Sequence, residues 1–175
     1  VHAVCGPTSL WLPGPSLGED FFRHDVCNAR EMFETARELW PDMDAGIFTA
    51  AVADYSPEPY GRGKFKKEQA AQGFSLRFLP NTDILRTLAG ERRDDQKIVG
   101  FAAESTESEE ALADLVRRKL LSKGADMIVG NQISDGFGTA TNRVFVADIQ
   151  GREEHWPAQP KPDIAWNILN WLQSI

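Results

Sequence analysis

The sequence predicts an α/β fold: a doubly wound, mostly parallel sheet with helices on both faces. Three observations carry that expectation. Runs such as "GIFTAAVA" (46–53) and "KIVGFAA" (97–103) are continuously apolar, as strands buried on both faces must be. Other stretches space their apolar residues at helical intervals. The two kinds alternate along the chain, and that alternation favours a sheet sandwiched by helices.

Each element has its own justification. "VHAVC" (1–5) is strand-like and stops at the breaker Gly6-Pro7. In "NAREMFETARELW" (28–40), Ala29, Met32, Phe33, Ala36 and Leu39 share a helical face, and Asn28 with Glu31 makes a capping box. "FSLRFL" (74–79) alternates, as a more exposed strand does. "NTDILRTLAG" (81–90) reads as a helix capped by Asn81 or Thr82 and stopped by Gly90. The stretch 105–124 is a second helix, with Thr106 and Glu109 as its capping box, acids first, cations last and Gly124 as C-cap. "DMIVGN" (126–131) and "RVFVADI" (143–149) read as the last strands, and "PDIAWNILNWLQSI" (162–175) as a closing amphipathic helix. The whole, 1–175, reads as a single Rossmann-like domain. In such sheets ligands sit beyond the carboxyl ends of the strands. That places Asp54, Phe101, Asn131 and the start of the "NTDIL" helix near one edge.

Composition narrows the function. The 175 residues are 42% hydrophobic, enough for a proper core. A net charge of −7 argues against general nucleic-acid or membrane-surface binding. No apolar run approaches the ~18 residues of a membrane span. Cys5 and Cys27 have no metal spacing and form no disulfide framework, which suits a reducing cytoplasm. The opening "VHAVCG" reads as a strand already under way, so the chain is expected to be a piece of something longer.

Against that acidic background, the basic loop Arg62, Lys64, Lys66 and Lys67 is conspicuous. If "KFKK" is extended, Lys64 and Lys66 share a face and would suit a triphosphate; the alternative is a solvated surface run. Asp54, after an apolar run, either holds Mg²⁺ or caps a turn. Lys119 and Lys123, one turn apart, either reach a common anion or serve the helix macrodipole. "GNQISDGFGTATN" (130–142) is a polar glycine-rich loop suited to closing over a ligand. Neither standard phosphate loop is present: "GFG" is too little for a dinucleotide fingerprint, and "GRGK" lacks the P-loop pattern. The three histidines, His2, His24 and His155, are scattered and suggest packing or surface roles. The five tryptophans suggest packing or an interface.

Taken in order, "CGPTSL", "AREM", "AAVADYSP", "KFKK", "NTDIL", "GFAAES", "KLLSKGADMIVGN" and "GFGTATN" closely resemble the phosphopantothenoylcysteine synthetase domain of coenzyme A biosynthesis, in its bacterial, CTP-using form. The resemblance runs over nearly the whole chain. It implies ligation of 4′-phosphopantothenate to cysteine through an acyl-cytidylate, with Mg²⁺ as cofactor. It implies that Lys64 is the catalytic lysine near the reacting phosphate. CTP would be held by Ala50, Ala51, Asp54, Lys64, Thr82, Asp83, Ile84, Leu85, Phe101, Lys119 and Lys123. Asp54 would also carry the metal. Asn131 would touch the substrate. Thr82 stands where the family has proline, a change that still suits a helix start.

Members of that family usually work as dimers and are often fused to a flavin-dependent decarboxylase, which would bring FMN from outside this chain. Their opening strand, "TAGGT"-like turn and "ISNxSSG" segment do not occur in this sequence. The expectation is therefore a chain lacking its first βα unit and inactive as a bare polypeptide, the missing piece having been cleaved off or belonging to a companion. Two rival readings stay open: a nucleotide-binding remnant without chemistry, and a Rossmann-type oxidoreductase fragment. The latter lacks the helical Tyr-x-x-x-Lys pair, because Tyr60 and Lys64 lie on a glycine-rich loop.

Overall fold

The computed structural model describes residues 1–8, 20–59 and 73–175. In chain order its strands are β1 (His2–Cys5), β2 (Phe22–Asp25), β3 (Ala45–Phe48), β4 (Tyr55–Pro57), β5 (Phe78–Pro80), β6 (Lys97–Glu104), β7 (Met127–Gln132), β8 (Thr141–Asp148) and β9 (Glu153–Pro160). The helices are α1 (Ala29–Leu39), α2 (Ile84–Glu91), α3 (Glu109–Lys123), α4 (Ile133–Gly136) and α5 (Lys161–Leu172). These elements fall into two units, Val1–Thr35 with Ala51–Asp83, and Ala36–Ala50 with Ile84–Ile175.

In the first unit β1 pairs in parallel with β2, a strand the sequence did not announce. The pairing brings His2 Nδ1 to 2.9 Å from His24 Nε2, so two histidines that are distant in sequence become hydrogen-bonded neighbours. The expected capping box opens α1: Asn28 Oδ1 accepts from the Glu31 N–H at 2.9 Å. The Glu31 carboxylate in turn accepts from Asn28 Nδ2 and the Cys27 N–H, each at 2.7 Å. β4 and β5 form a short antiparallel pair. Of the expected strand 74–79 only Phe78 and Leu79 fall within β5, and the Arg77 carbonyl accepts from the Glu58 N–H at 2.8 Å.

The second unit holds a five-stranded sheet in the order β3-β6-β7-β8-β9. β3, β6 and β7 run parallel, while β8 and β9 are antiparallel. The sheet is therefore mixed rather than mostly parallel, and the reason is connection length. Residues 133–140 are too few for the crossover of a dozen or more that a parallel return requires. The β8–β9 link turns tightly through Gly151 at φ 86°. "EEHWPAQP" escaped notice as a strand because it carries two prolines, which only an edge strand tolerates. Of "GIFTAAVA" likewise only 46–48 join the sheet, in the edge strand β3, which is partly exposed rather than buried on both faces.

Alternation of side chains decides what each face receives. Val99, Met127, Val129, Val144 and Val146 point to one face and form a core with Trp156, Ile164, Ile168 and Trp171, so α5 covers that side. Ile98, Gly100, Ile128 and Gly130 point to the other, under α2 and α3. There a Cβ on Gly100 would stand 2.5 Å from Leu85 Cδ1, and one on Gly130 would stand 2.2 Å from Val116 Cγ2. Helices thus cover both faces, as expected. The cap of α3 is Ser108, whose side chain accepts from the Ala111 N–H, and not Thr106, which spends its N–H on Gln132 Oε1 at 3.1 Å. Gly124 closes α3 in the left-handed region at φ 67°.

Two buried carboxylates lock the opposite end of the sheet. Asp126 accepts from the Ile98 N–H at 2.7 Å and from Arg92 Nη1 at 2.5 Å. Asp148 accepts from the Gln150 and Arg152 N–H groups at 2.9 and 3.0 Å and from Trp171 Nε1 at 2.7 Å. On the surface, Arg117 of α3 grips Glu153 of β9 through two bonds of 2.8 and 2.9 Å. Those bonds hold the Glu153 carboxyl below its usual range and push the Arg117 guanidinium further up.

Two measurements check this packing. Gly130→Ala should lower the stability read from urea unfolding by about 1–3 kcal/mol, since its methyl overpacks Val116. Gly90→Ala, in α2 with open space around it, should raise stability by about 0.5–1 kcal/mol. Because the Glu153 pKa is lowered by folding, its stabilising contribution is present above the ordinary carboxylate pKa of about 4.3 and lost as the pH falls. Glu153→Gln should therefore shift the urea midpoint downward at pH 7 and much less at pH 3.

Candidate functional site

The carboxyl ends of β6 and β7 are built differently on their two sides. On the α3 side, Glu104 ends β6 and meets Lys119 of α3 at 2.5 Å, both side chains being a quarter to a third exposed. Lys119 is thus tethered to a carboxylate at the strand end. Lys123 is the last residue of α3, a position that the macrodipole favours. Beside them Gln132 clasps the loop after β6, accepting from the Thr106 N–H and donating to Thr106 Oγ1 at 2.5 Å. A cleft of about 240 Å³ opens next to this loop, lined by Glu109, Gln132, Asp135, Arg143 and His155 among others. Across it Arg143 pairs with Glu109 at 3.1 Å.

On the α5 side the row is Phe101, Ala103 and Asn131. Phe101 is half-buried and packs on the core beneath α5. Its side chain therefore belongs to the face away from Lys119. Ala103 is exposed and sits directly across from Asn131, which is only 6% exposed. The Asn131 carboxamide donates to the Gln132 carbonyl at 2.7 Å. Above it α4 closes tightly, for a Cβ on Gly136 would lie 2.6 Å from Asn131 Nδ2 and 3.1 Å from Asn142. Lys161 completes the corner by donating to the Gly136 carbonyl at 2.7 Å. Among the described residues Asn142 Oδ1 is the buried side-chain oxygen left without a hydrogen bond. The expected glycine-rich loop is therefore braced: helix α4, then Gly138 at φ 72°, then Thr139 donating to the Thr141 carbonyl at 2.7 Å.

The remaining expected residues divide between the units. Ala50 is exposed just beyond β3 in the second unit, whereas Ala51 and Asp54 are exposed in the first. Asn81, expected as a helix cap, instead pins the Asp54 turn: its N–H donates to the Asp54 carbonyl at 2.7 Å and its Nδ2 to the Ala53 carbonyl at 2.8 Å. Thr82 and Asp83 are exposed immediately before α2. Ile84 is buried and Leu85 lies over Gly100, so both side chains are spent on packing. Lys64, with the rest of the basic loop, lies in 60–72, outside the described residues.

Sequence reasoning singled out neither Glu104 nor Lys161, and took Gly136 and Asn142 only as parts of the 130–142 loop. Lys161 precedes the expected helix 162–175, so its place in the first turn of α5, beside Asp163, shows only in the structure.

Comparison with known proteins gives the family. The DNA/pantothenate metabolism flavoprotein C-terminal domain matches residues 1–175. The chain is similar to the coenzyme A biosynthesis bifunctional protein CoaBC of Bacillus subtilis (strain 168), at 34% identity over 178 residues, covering 100% of this chain and 41% of that protein. It thus spans less than half the length of that relative. Its fold is similar to the crystal structure of the C-terminal domain of a CoaBC protein, with TM-score 0.74 and 29% identity over 99% of this chain and 72% of that one. It also follows the fold of the DNA/pantothenate metabolism flavoprotein from Streptococcus pneumoniae, with TM-score 0.77 and 18% identity over 99% of this chain and 80% of that one. The chain belongs to the DNA/pantothenate metabolism flavoprotein C-terminal domain family.

Proposed function

We propose that this chain, acting as one domain over 1–175, is the synthetase part of a CTP-dependent phosphopantothenate–cysteine ligase. The observation that carries the reading is a family match spanning the whole chain, joined to the fold likeness at 29% identity. In the reaction, the carboxylate of 4′-phosphopantothenate attacks the α-phosphorus of CTP. An acyl-cytidylate forms and pyrophosphate leaves. The cysteine amine then attacks the acyl carbon, loses a proton, and CMP departs with the C–O electron pair. Both steps are mainly a matter of positioning and of neutralising charge.

The residues take complementary parts in this reading. Lys64 stabilises charge on the reacting phosphate, with Lys119 and Lys123 serving the nucleotide. Glu104 keeps Lys119 extended until the nucleotide competes for it, a support suggested by their 2.5 Å pairing. Ala50 and Ala51 admit the nucleotide through their small side chains, and Phe101 lines its pocket. Since Ile84 and Leu85 are used in packing, the segment Thr82 to Leu85 would act through backbone groups. Asn131 contacts the acyl substrate. Asp54 is a single exposed carboxylate, which suits Mg²⁺ that keeps most of its coordination for phosphate oxygens and water. That ion would supply charge neutralisation at the triphosphate. A homodimer, a fused or companion flavin-dependent decarboxylase and a cytoplasmic setting complete the proposal. No described helix is long and apolar enough to cross a membrane.

The test uses the full-length protein with Mg²⁺, 4′-phosphopantothenate and cysteine. CTP should support release of both pyrophosphate and CMP, and ATP should not. Lys64→Ala should lower kcat by about 10²–10³-fold, the cost of removing one preorganised charge-stabilising group. Tight CTP binding without CMP release would leave a nucleotide-holding domain. NAD(H) binding in place of CTP would turn the assignment toward an oxidoreductase.

A further inference from the structure

The corner formed by α4, the end of β7 and the start of α5 carries an inference that rests on the ligase reading. Three of its features need a common explanation. Lys161 stands at the first position of α5, where a cation opposes the helix dipole. Its ammonium donates 2.7 Å to the Gly136 carbonyl, while its own N–H donates 3.1 Å to the Ala140 carbonyl. The helix start is therefore pinned to both ends of the segment that follows α4. A Cβ on Gly136 would in turn stand 2.6 Å from Asn131 Nδ2 and 3.1 Å from the Asn142 carboxamide, so a side chain there would have to displace them. Finally, Asn142 Oδ1 is buried and accepts no hydrogen bond from the protein, which leaves it open to a water or a ligand.

All three meet at Gly136, and Asn131 lies directly against it. Its carboxamide lies at the carboxyl edge of the sheet, the edge where such folds receive ligands. It is nearly buried, yet its cross-strand neighbour Ala103 on the same face is exposed, which leaves open space beside it. We infer that Lys161 is a positioning residue: by anchoring α4 through the Gly136 carbonyl, it holds the Asn131 carboxamide in the orientation in which it meets the acyl substrate. The corner serves the acyl half of the reaction and leaves nucleotide binding to other residues.

Steady-state kinetics of the full-length protein test this with 4′-phosphopantothenate and CTP varied separately. Lys161→Met, which keeps the stem and removes the donor, should lower kcat/KM for 4′-phosphopantothenate roughly 10- to 100-fold, the usual penalty for a displaced positioning contact. KM for CTP should not change. Lys161→Arg should restore most of the loss. Gly136→Ala, whose methyl displaces Asn131 directly, should reproduce the Lys161→Met defect. The double variant Lys161→Met/Asn131→Ala should be no worse than Asn131→Ala alone, because both changes act through one side chain. The inference is overturned by wild-type kinetics in Lys161→Met, by fully additive losses in the double variant, or by equal losses toward CTP and 4′-phosphopantothenate. A wild-type protein that ligates nothing would instead overturn the ligase reading, and this inference with it.

Discussion

The constraint on which the second unit depends is that β7 is buried on both faces. Met127 to Asn131 are all buried, with a parallel neighbour on one side and an antiparallel one on the other. Such a strand has no solvent to satisfy its polar groups or cover its apolar ones. The rest of the sheet answers that demand. α5 lays Ile164, Ile168 and Trp171 over one face, and α3 lays Leu112, Val116 and Leu120 over the other. The close approach of α3 is possible only because Gly130 lacks a side chain. Replacing covering residues such as these by smaller ones would cost several kcal/mol each, by the usual large-to-small rule of about 2–5 kcal/mol.

The polar groups at the two ends of β7 do different work. At its start Asp126 accepts from a backbone N–H and from Arg92, both at Oδ2, and it locks β6 against β7. At its end Asn131 and Gln132 point to opposite faces. Gln132 clasps the loop after β6, and Asn131 sits under α4. Among the described residues, the carboxyl end differs in having an unpaired buried acceptor, a cleft beside it and a lysine tethered to Glu104. A group already satisfied by the protein has little left for a ligand.

Much of the fold was legible because its signals are local. The Asn28–Glu31 capping box, Gly124 as C-cap, the apolar run of β6 and the periodicity of α3 all depend on residues within a turn or two of each other. β2 and β9 were not legible. "FRHD" and "EEHWPAQP" are too polar or too rich in proline to announce strands, and they are extended because an existing neighbour offers them hydrogen bonds. The cap of α3 moved from Thr106 to Ser108 for a related reason: Gln132, distant in sequence, claims the Thr106 backbone first. Of the residues expected near the carboxyl edge, Asn131 lies toward the end of β7 and Phe101 within β6, whereas Asp54 falls in the other unit. Phe101 and Lys119 belong to opposite faces of the sheet. Asn81 holds the Asp54 turn instead of capping a helix.

By itself, the sequence determined the α/β class, most of the strand and helix positions, and membership of a family whose motifs lie in order along it. Local hydrophobic periodicity and capping chemistry suffice for the first two. Only the tertiary structure decided that the sheet is mixed, that Glu104 holds Lys119, and that Lys161, Asn142 and Asn131 meet at Gly136. Those outcomes follow from which strand ends and helix starts meet in space. Nothing in a residue's immediate neighbours encodes a partner thirty positions away, whereas the register of β7 against β6 and β8 leaves each of these side chains few other places to be.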